Sequence, residues 1–398
     1  MRFGPPAGRW FLVLALVVVS LNLRGPIVAV SPVLEDIQRD LEITAGSAGL
    51  LTSIPVLCFA AVSPLVAVFA RRLGVDLTIT ISLVVLAVGV AIRPWAGFGL
   101  LVAGTIMIGA AIAVGNVLIP VLVRRDFPER PGPLLSASTT SLIISATIPA
   151  VLTAPLASVI GWRAALAIWA CLVVVALAIW SAATQTNRQH QVSPTTPEHD
   201  APTARTPPKP VWRNRSAWEL GLFFGIQSFL FYAATAWLPT MLRDAGGLDA
   251  TAAGTALSVF QLIGIAGAIA VPVLIRRREV RYTVVVVLSV LWVIFLAGLL
   301  VAPQAWPVLC ALGGLAQGGC LAMGLSLIAL RSTTSDAARR VSAMVQTVAY
   351  CFSAPGPVVI GGISMTTNGW TTPFSMLIAL SIACGVLGIR AASPRSIM

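Results

Sequence analysis

The sequence predicts an all-α integral membrane protein, with twelve transmembrane helices in two pseudo-symmetric six-helix bundles. Three observations carry this: the composition, the recurrence of long apolar runs, and residue spacings that repeat between the two halves. Of 398 residues, 57% are hydrophobic and only 10% charged, whereas soluble domains carry about a quarter charged residues. Runs long enough to cross a hydrocarbon core of about 30 Å, which takes about 20 residues of helix, recur along the whole chain. Helices are required because lipid offers backbone amides no partners, and the runs lack the alternation of barrel strands.

In order, the spans are expected near 10–32, 47–70, 76–94, 98–123, 134–157, 162–182, 217–241, 251–275, 282–302, 306–330, 341–365 and 371–389. The first run begins at Trp10 without an Ala-x-Ala-like cleavage site, so it reads as a retained span rather than a signal peptide. Between the sixth and seventh spans, 183–216 is polar and holds six prolines. It is expected to be a flexible cytoplasmic linker between a bundle at 1–182 and a bundle at 217–398.

The halves repeat one another. Gly49 to Arg71 recurs as Gly254 to Arg276, at an offset of 205. Gly109-x5-Gly115 recurs as Gly318-x5-Gly324 at 209, and Pro149 to Trp162 as Pro357 to Trp370 at 208. Parallel duplication of a six-span unit is the architecture of carriers with a central site between halves.

The net charge of +12 would suggest nucleic acid in a soluble chain, but here the arginines cluster between apolar runs, where they orient the protein in the bilayer. With the N-terminus inside, 21 of the 26 basic residues fall on the cytoplasmic side. Arg39, Arg93, Arg163 and Arg243 fall on the other, and Arg24 alone lies within a span. Both termini and the linker are thus expected in the cytoplasm, in the inner (plasma) membrane of a bacterium. A single Lys beside 25 Arg and abundant Ala fit a GC-rich bacterial genome. Cys58, Cys171, Cys310, Cys320, Cys351 and Cys384 all sit in apolar runs without paired spacing, so they read as packing residues rather than disulfides or metal ligands.

Several strings resemble a known family. They are Asn22-Leu23-Arg24-Gly25-Pro26 in the first span, and Gly49-Leu50-Leu51-Thr52-Ser53-Ile54-Pro55-Val56-Leu57-Cys58-Phe59 in the second. Around the fourth stand Gly115-Asn116-Val117-Leu118-Ile119-Pro120 and Arg124-Arg125-Asp126-Phe127-Pro128, and Gln227-Ser228 to Trp237-Leu238-Pro239 fills the seventh. Together they resemble the cyanate and 2-nitroimidazole transporters of the major facilitator superfamily. The resemblance implies that fold, a cavity lined by the first, fourth, seventh and tenth helices, and a cyanate-like or 2-nitroimidazole-like solute. One departure concerns the superfamily's loop between the second and third helices, which usually carries an acidic residue ahead of its basic cluster. Here it reads Phe69-Ala70-Arg71-Arg72-Leu73-Gly74-Val75-Asp76. Arg71, Arg72 and Gly74 remain as candidate conformational residues, and Asp76 is either a substitute partner or a solvated loop carboxylate.

Arg24 is the most informative residue, about 14 residues or 21 Å into its helix. An arginine at the centre of a membrane helix costs about 2.5–3.5 kcal/mol on insertion scales, so it either faces a cavity or partner or snorkels outward. With no Asp or Glu deep in any span, an anionic or strongly dipolar solute is its expected partner, and a planar guanidinium suits such an acceptor. Pro26 removes an amide and biases Gly25 away from helical geometry, opening the helix beside Arg24. Asn22 lies about 200° around the helix from Arg24, so both face one cavity only if the helix distorts. Further candidates are the amides Asn116, Gln227, Gln317 and Gln346, with Tyr350 one turn from Gln346; Gln261 is another deep amide. Asn116 and Gln227 are the favoured pair, and for all of these interhelical hydrogen bonding is the alternative. Tyr232 and Trp237 either stack on a planar solute or pack at an interface. The Gly-rich stretches lack phosphate-loop spacing and read as close helix contacts.

The expected function is therefore a secondary or facilitated carrier of a small anion or small planar polar solute, working by alternating access. A general multidrug exporter is the alternative, and a non-transporting solute receptor a more distant one. An enzyme is not expected, because His190 and His199 sit in the linker and the carboxylates lie near span ends. No cofactor or metal is expected; the partners are the solute, the lipid bilayer and, for symport, a coupling proton, in a monomer.

Overall fold

The structure, a computed structural model, describes residues 7–127, 131–190, 211–331 and 335–393, and these form helices without a strand. The first span is not one helix: α1 (Ala7–Ser20) is followed by α2 (Gly25–Val28), a 3-10 turn at Ser31–Val33 and the short α3 (Leu34–Leu41). The first half continues with α4 (Ala45–Leu73), α5 (Val75–Ile92), α6 (Gly97–Asp126), α7 (Pro131–Ala167) and α8 (Trp169–His190). The second contains α9 (Arg215–Gly246), α10 (Ala250–Leu274), α11 (Arg281–Val301), α12 (Trp306–Arg331), α13 (Ser335–Ser353), α14 (Gly356–Thr367) and α15 (Thr371–Ala392).

Eleven stretches of the described residues are long and apolar enough to cross a membrane. One of them, Ala137–Gln185, has 49 residues, about 74 Å of helix at 1.5 Å per residue, more than twice the hydrocarbon core. It is broken at Gly161 (φ 77°, ψ 155°), so it holds two spans and the total is twelve. Gly74, between α4 and α5, has nearly the same backbone angles (φ 84°, ψ 155°), a region open essentially to glycine. Each glycine turns the second helix of a three-helix unit into the third, as a nested inverted repeat requires.

Three boundaries differ from the sequence reading. The eleventh span is two helices, because Pro355 and Pro357 remove two of three successive amide donors at the junction of α13 and α14. The expected linker at 183–216 begins as continuing α8 and ends in a 3-10 turn and the start of α9; its remainder, 191–210 with His199, lies outside the described residues. Arg93, counted among the orienting charges of the outer side, is 1% exposed at the end of α5.

The repeats mark where the halves interlock at the end away from the linker, called the distal end here. A Cβ at Gly49 in α4 would lie 2.7 Å from the Pro357 carbonyl oxygen and 2.9 Å from Val358 Cα. Gly254 in α10 meets the Ala150 carbonyl of α7 in the same way, and the Ser258 hydroxyl donates to the Thr147 carbonyl at 3.2 Å. Small residues let the backbones touch, and the two contacts are related by the offsets of 205 and 208. Across the same end, Arg243 of the second half pairs with Glu35 of α3 at 3.1 Å, while Arg163 pairs with Asp40. A cavity of about 670 Å³ opens there, lined by residues that include Glu35, Gln38, Trp237, Asp244, Asn368 and Trp370.

At the linker end Arg71 and Arg72 are exposed. Asp76 is not a lone solvated carboxylate: it accepts a hydrogen bond from Arg125 at 2.7 Å, and Arg125 also bonds Asp126 at 2.7 Å. Burial alone would lower the Arg125 pKa, but the hydrogen bonds to Asp126 and Asp76 outweigh it and push it up. All six cysteines are free; Cys310, Cys320 and Cys384 are buried, whereas Cys171 and Cys351 are exposed.

Candidate functional site

Pro26 cannot donate to the turn before it and its ring crowds the carbonyl four residues back, so the first span unwinds between α1 and α2. Arg24 stands at the break with φ −133° and ψ −32°. The exposed backbone is taken up by neighbours. The Ser145 hydroxyl of α7 accepts from the Gly25 amide at 2.8 Å and from the Arg24 amide at 3.3 Å. The Pro26 carbonyl accepts from Arg93 Nη1 at 2.9 Å.

The half-buried Arg24 side chain reaches across to the second half, where its guanidinium carbon lies 4.8 Å from the Phe231 ring centroid. That ring is held by stacking on Phe260 (6.4 Å), itself stacked on Phe295 (5.4 Å). Tyr232 packs edge-on to Phe231 at 5.1 Å, and Tyr350 of α13 edge-on to Phe59 of α4 at 5.6 Å. Tyr232 and Tyr350 both pack against the buried cluster of the first half that includes Leu23, Ile27 and Phe59, beside Arg24. Among the described residues no carboxylate pairs with Arg24. The arrangement offers one cation, two phenol hydroxyls and aromatic faces, which suits a small anion or a planar polar molecule with an electron-rich edge.

Of the sequence candidates, the structure brings Arg24, Tyr232 and Tyr350 together beside Gly25 and Pro26. Asn116 of α6 is half-buried. The others are placed elsewhere. Asn22, in the turn just past the end of α1, is buried and donates back to the Val18 carbonyl at 2.8 Å. Gln227, one of the favoured pair, is 2% exposed inside the second half and reaches the Gln317 carbonyl at 3.4 Å; Gln317 is buried against Gly264. Gln261 bonds Thr235 at 3.3 Å, and Gln346 bonds Ser342 of its own helix at 2.8 Å. Trp237 is buried at the distal interlock, with its indole N–H on the Pro357 carbonyl at 2.7 Å and its ring 5.8 Å from that of Trp370.

Sequence reasoning missed Phe231, Phe59, Ser145 and Arg93. A signal for Phe231 existed: it follows Arg24 by 207 residues, within the repeat offsets, so pseudo-symmetry sets the two opposite each other. Ser145 and Arg93 carry no such signal.

Twelve spans in two related bundles, with an unneutralised cation at a helix break facing the other half, define a multi-pass membrane carrier. The sequence profile of the Major Facilitator Superfamily matches residues 11–312, and the chain belongs to that superfamily of transporters, which are not enzymes. Among curated relatives, an uncharacterized transporter of Bacillus subtilis (strain 168) is 34% identical, over 98% of this chain and 95% of its own length. A 2-nitroimidazole transporter of Escherichia coli (strain K12) is 29% identical, over 98% and 97%. A cyanate transport protein of the same strain is 25% identical, over 96% and 98%. Among solved structures, a bacterial homolog of the human lysosomal transporter Spinster, inward-facing and unoccupied, superposes with a TM-score of 0.80 at 13% identity, covering 98% of each chain. A D-xylose-proton symporter gives 0.74 at 11% identity, covering 97% of this chain and 99% of its own.

Proposed function

We propose that the chain is a secondary or facilitated carrier of a small anion or compact planar polar solute, of the cyanate or 2-nitroimidazole kind, bound at Arg24 between the halves. The observation that carries the reading is the Arg24 guanidinium, laid over Phe231 where Tyr232 and Tyr350 pack, with no carboxylate partner among the described residues. For an organic cation the same residue would add repulsion with nothing to offset it. The names of two relatives point the same way. The bilayer is the bacterial plasma membrane, with both termini and the linker cytoplasmic, as the distribution of arginine favours.

The test is flux in proteoliposomes offered cyanate, 2-nitroimidazole and a quaternary ammonium cation. One of the first two should cross faster than in protein-free vesicles, and Arg24→Ala should return it to background. Transport of the cation alone would overturn the reading in favour of a general multidrug exporter. Orientation is tested separately: a periplasmic phosphatase fused near Pro202 should be inactive and one near Gly246 active.

A further inference from the structure

We propose that Arg93 is a positioning residue: it holds the break in the first span so that Arg24 is presented to the solute, and never meets the solute itself. The proposal rests on Arg24 being the solute-binding cation.

The Pro26 carbonyl is one of the backbone acceptors that the break leaves without a helical partner. The Val28 amide bonds the Arg24 carbonyl at 3.1 Å and the Ala29 amide the Gly25 carbonyl at 2.9 Å. The next amide in the ladder, that of Val30, goes to Ile27 at 3.4 Å instead of to Pro26. The Pro26 carbonyl, two residues from Arg24, is then taken by Arg93 Nη1. Ser145 does the complementary work on the amides of Arg24 and Gly25. Both polarities of the opened turn are thus tied to neighbouring helices, and in a membrane interior untied groups would pull the turn back toward helix or collapse it.

Arg93 is poorly suited to a purely stabilising role. Its side chain is 1% exposed, and its Nε and Nη2 groups have no hydrogen-bond partner. A buried ion so sparsely satisfied usually stabilises less than an apolar side chain of similar volume. The base of the side chain is seated tightly on α6, where a Cβ at Gly104 would overlap the Arg93 Cβ. Because only one of its donors is used, a lysine of similar reach can replace it, whereas at Arg24 the planar fork itself is needed.

The experiment compares wild type, Arg93→Met and Arg93→Lys as full-length protein in nanodiscs, by hydrogen–deuterium exchange, thermal unfolding and affinity for cyanate and 2-nitroimidazole. Arg93→Met should exchange at least tenfold faster across residues 22–30 alone, unfold no earlier than wild type, and weaken binding of the carried solute about tenfold. Arg93→Lys should restore all three. Gly104→Ala, which crowds Arg93 without removing it, should reproduce the local loosening and guards against a Met variant that fails to insert. Unchanged exchange at 22–30 in both Arg93→Met and Gly104→Ala overturns the proposal. So does loosening of the whole bundle that Arg93→Lys does not reverse, which marks a structural role. The exchange and unfolding results need no solute, so they decide the positioning role even if neither compound is carried and the proposed function fails.

Discussion

The distal interlock keeps the internal symmetry of the chain, and the candidate site breaks it. At the interlock, Gly49 meets the backbone at Pro357 and Val358, and its repeat mate Gly254 meets the backbone at Ala150. One solution is used twice. At the site, the two equivalent positions hold Arg24 and Phe231, and the cation of one half lies over the ring of the other. The helices differ with them: the first span is broken at Gly25-Pro26, while α9 runs unbroken for 32 residues. A moving contact between like halves can be symmetric, because both sides rock by the same operation. A binding site for a small asymmetric solute gains more from one charge than from two, since a second arginine at position 231 would face the first without a counter-ion.

The largest expected effect lies where the symmetry is broken. Arg24→Ala should lower flux of the carried solute by on the order of a hundredfold, the loss of a desolvated charge contact. Arg24→Lys keeps the charge but not the fork and should lose about tenfold, with insertion unchanged. Normal flux in both variants would remove Arg24 from the site and the asymmetry with it.

The interlock offers the converse test. Valine at Gly49 or at Gly254 forces side-chain atoms into a neighbouring backbone, an overpacking of about 1–3 kcal/mol, or roughly tenfold in the conformational equilibrium. Spin labels at Gln38 and Asn368, which both line the distal cavity, should report wider separations, to a similar degree in both variants. A response to only one would show that the interlock is not functionally symmetric.

Phe231→Leu sharpens the site comparison by removing the ring while keeping an apolar side chain. Cation–π contacts are worth about 0.5–2 kcal/mol, so solute affinity should fall about fivefold. A tighter-binding variant would mean that the ring competes with the solute for Arg24 instead of orienting it.

How much of this was legible depended on whether a residue's partner was local or across the fold. Span number, duplication and the break at Gly25-Pro26 follow from local hydropathy and proline geometry. Arg24 stood out because a deep charge is rare in any span. The buried amides did not separate, since Asn116, Gln227 and Gln317 look alike in sequence and differ only in which helix they face. Gln227 turned inward to Gln317 because the contact among α9, α10 and α12 is closed by glycines such as Gly264. Tyr232 and Trp237 share the same two readings in sequence, stacking on a solute or packing at an interface, and five residues along the helix carry Trp237 about 7.5 Å toward the distal end, where it packs. Arg93 looked like an orientation signal, and only the placement of Gly104 and Pro26 shows it to be internal.

The smallest effect is expected at the linker end of the first half. Arg125 and Arg331 are 206 residues apart, each at the end of its helix. Arg125 pairs with Asp76 and Asp126, and Arg331 donates to the carbonyls of Arg390 near the end of α15 and of Ser393 just past it. The Asp76–Arg125 pair joins two helices of the same half, and its side chains are 26% and 39% exposed. Such partly exposed pairs contribute about 0.2–1 kcal/mol, and Arg125 keeps Asp126 when Asp76 is neutralised. Asp76→Asn should therefore change flux by less than about threefold, with a similarly small shift in thermal unfolding. If flux instead collapses while the protein stays folded, Asp76 acts as the acidic partner missing ahead of Arg71 and Arg72. The linker end of the first half would then carry a conformational latch.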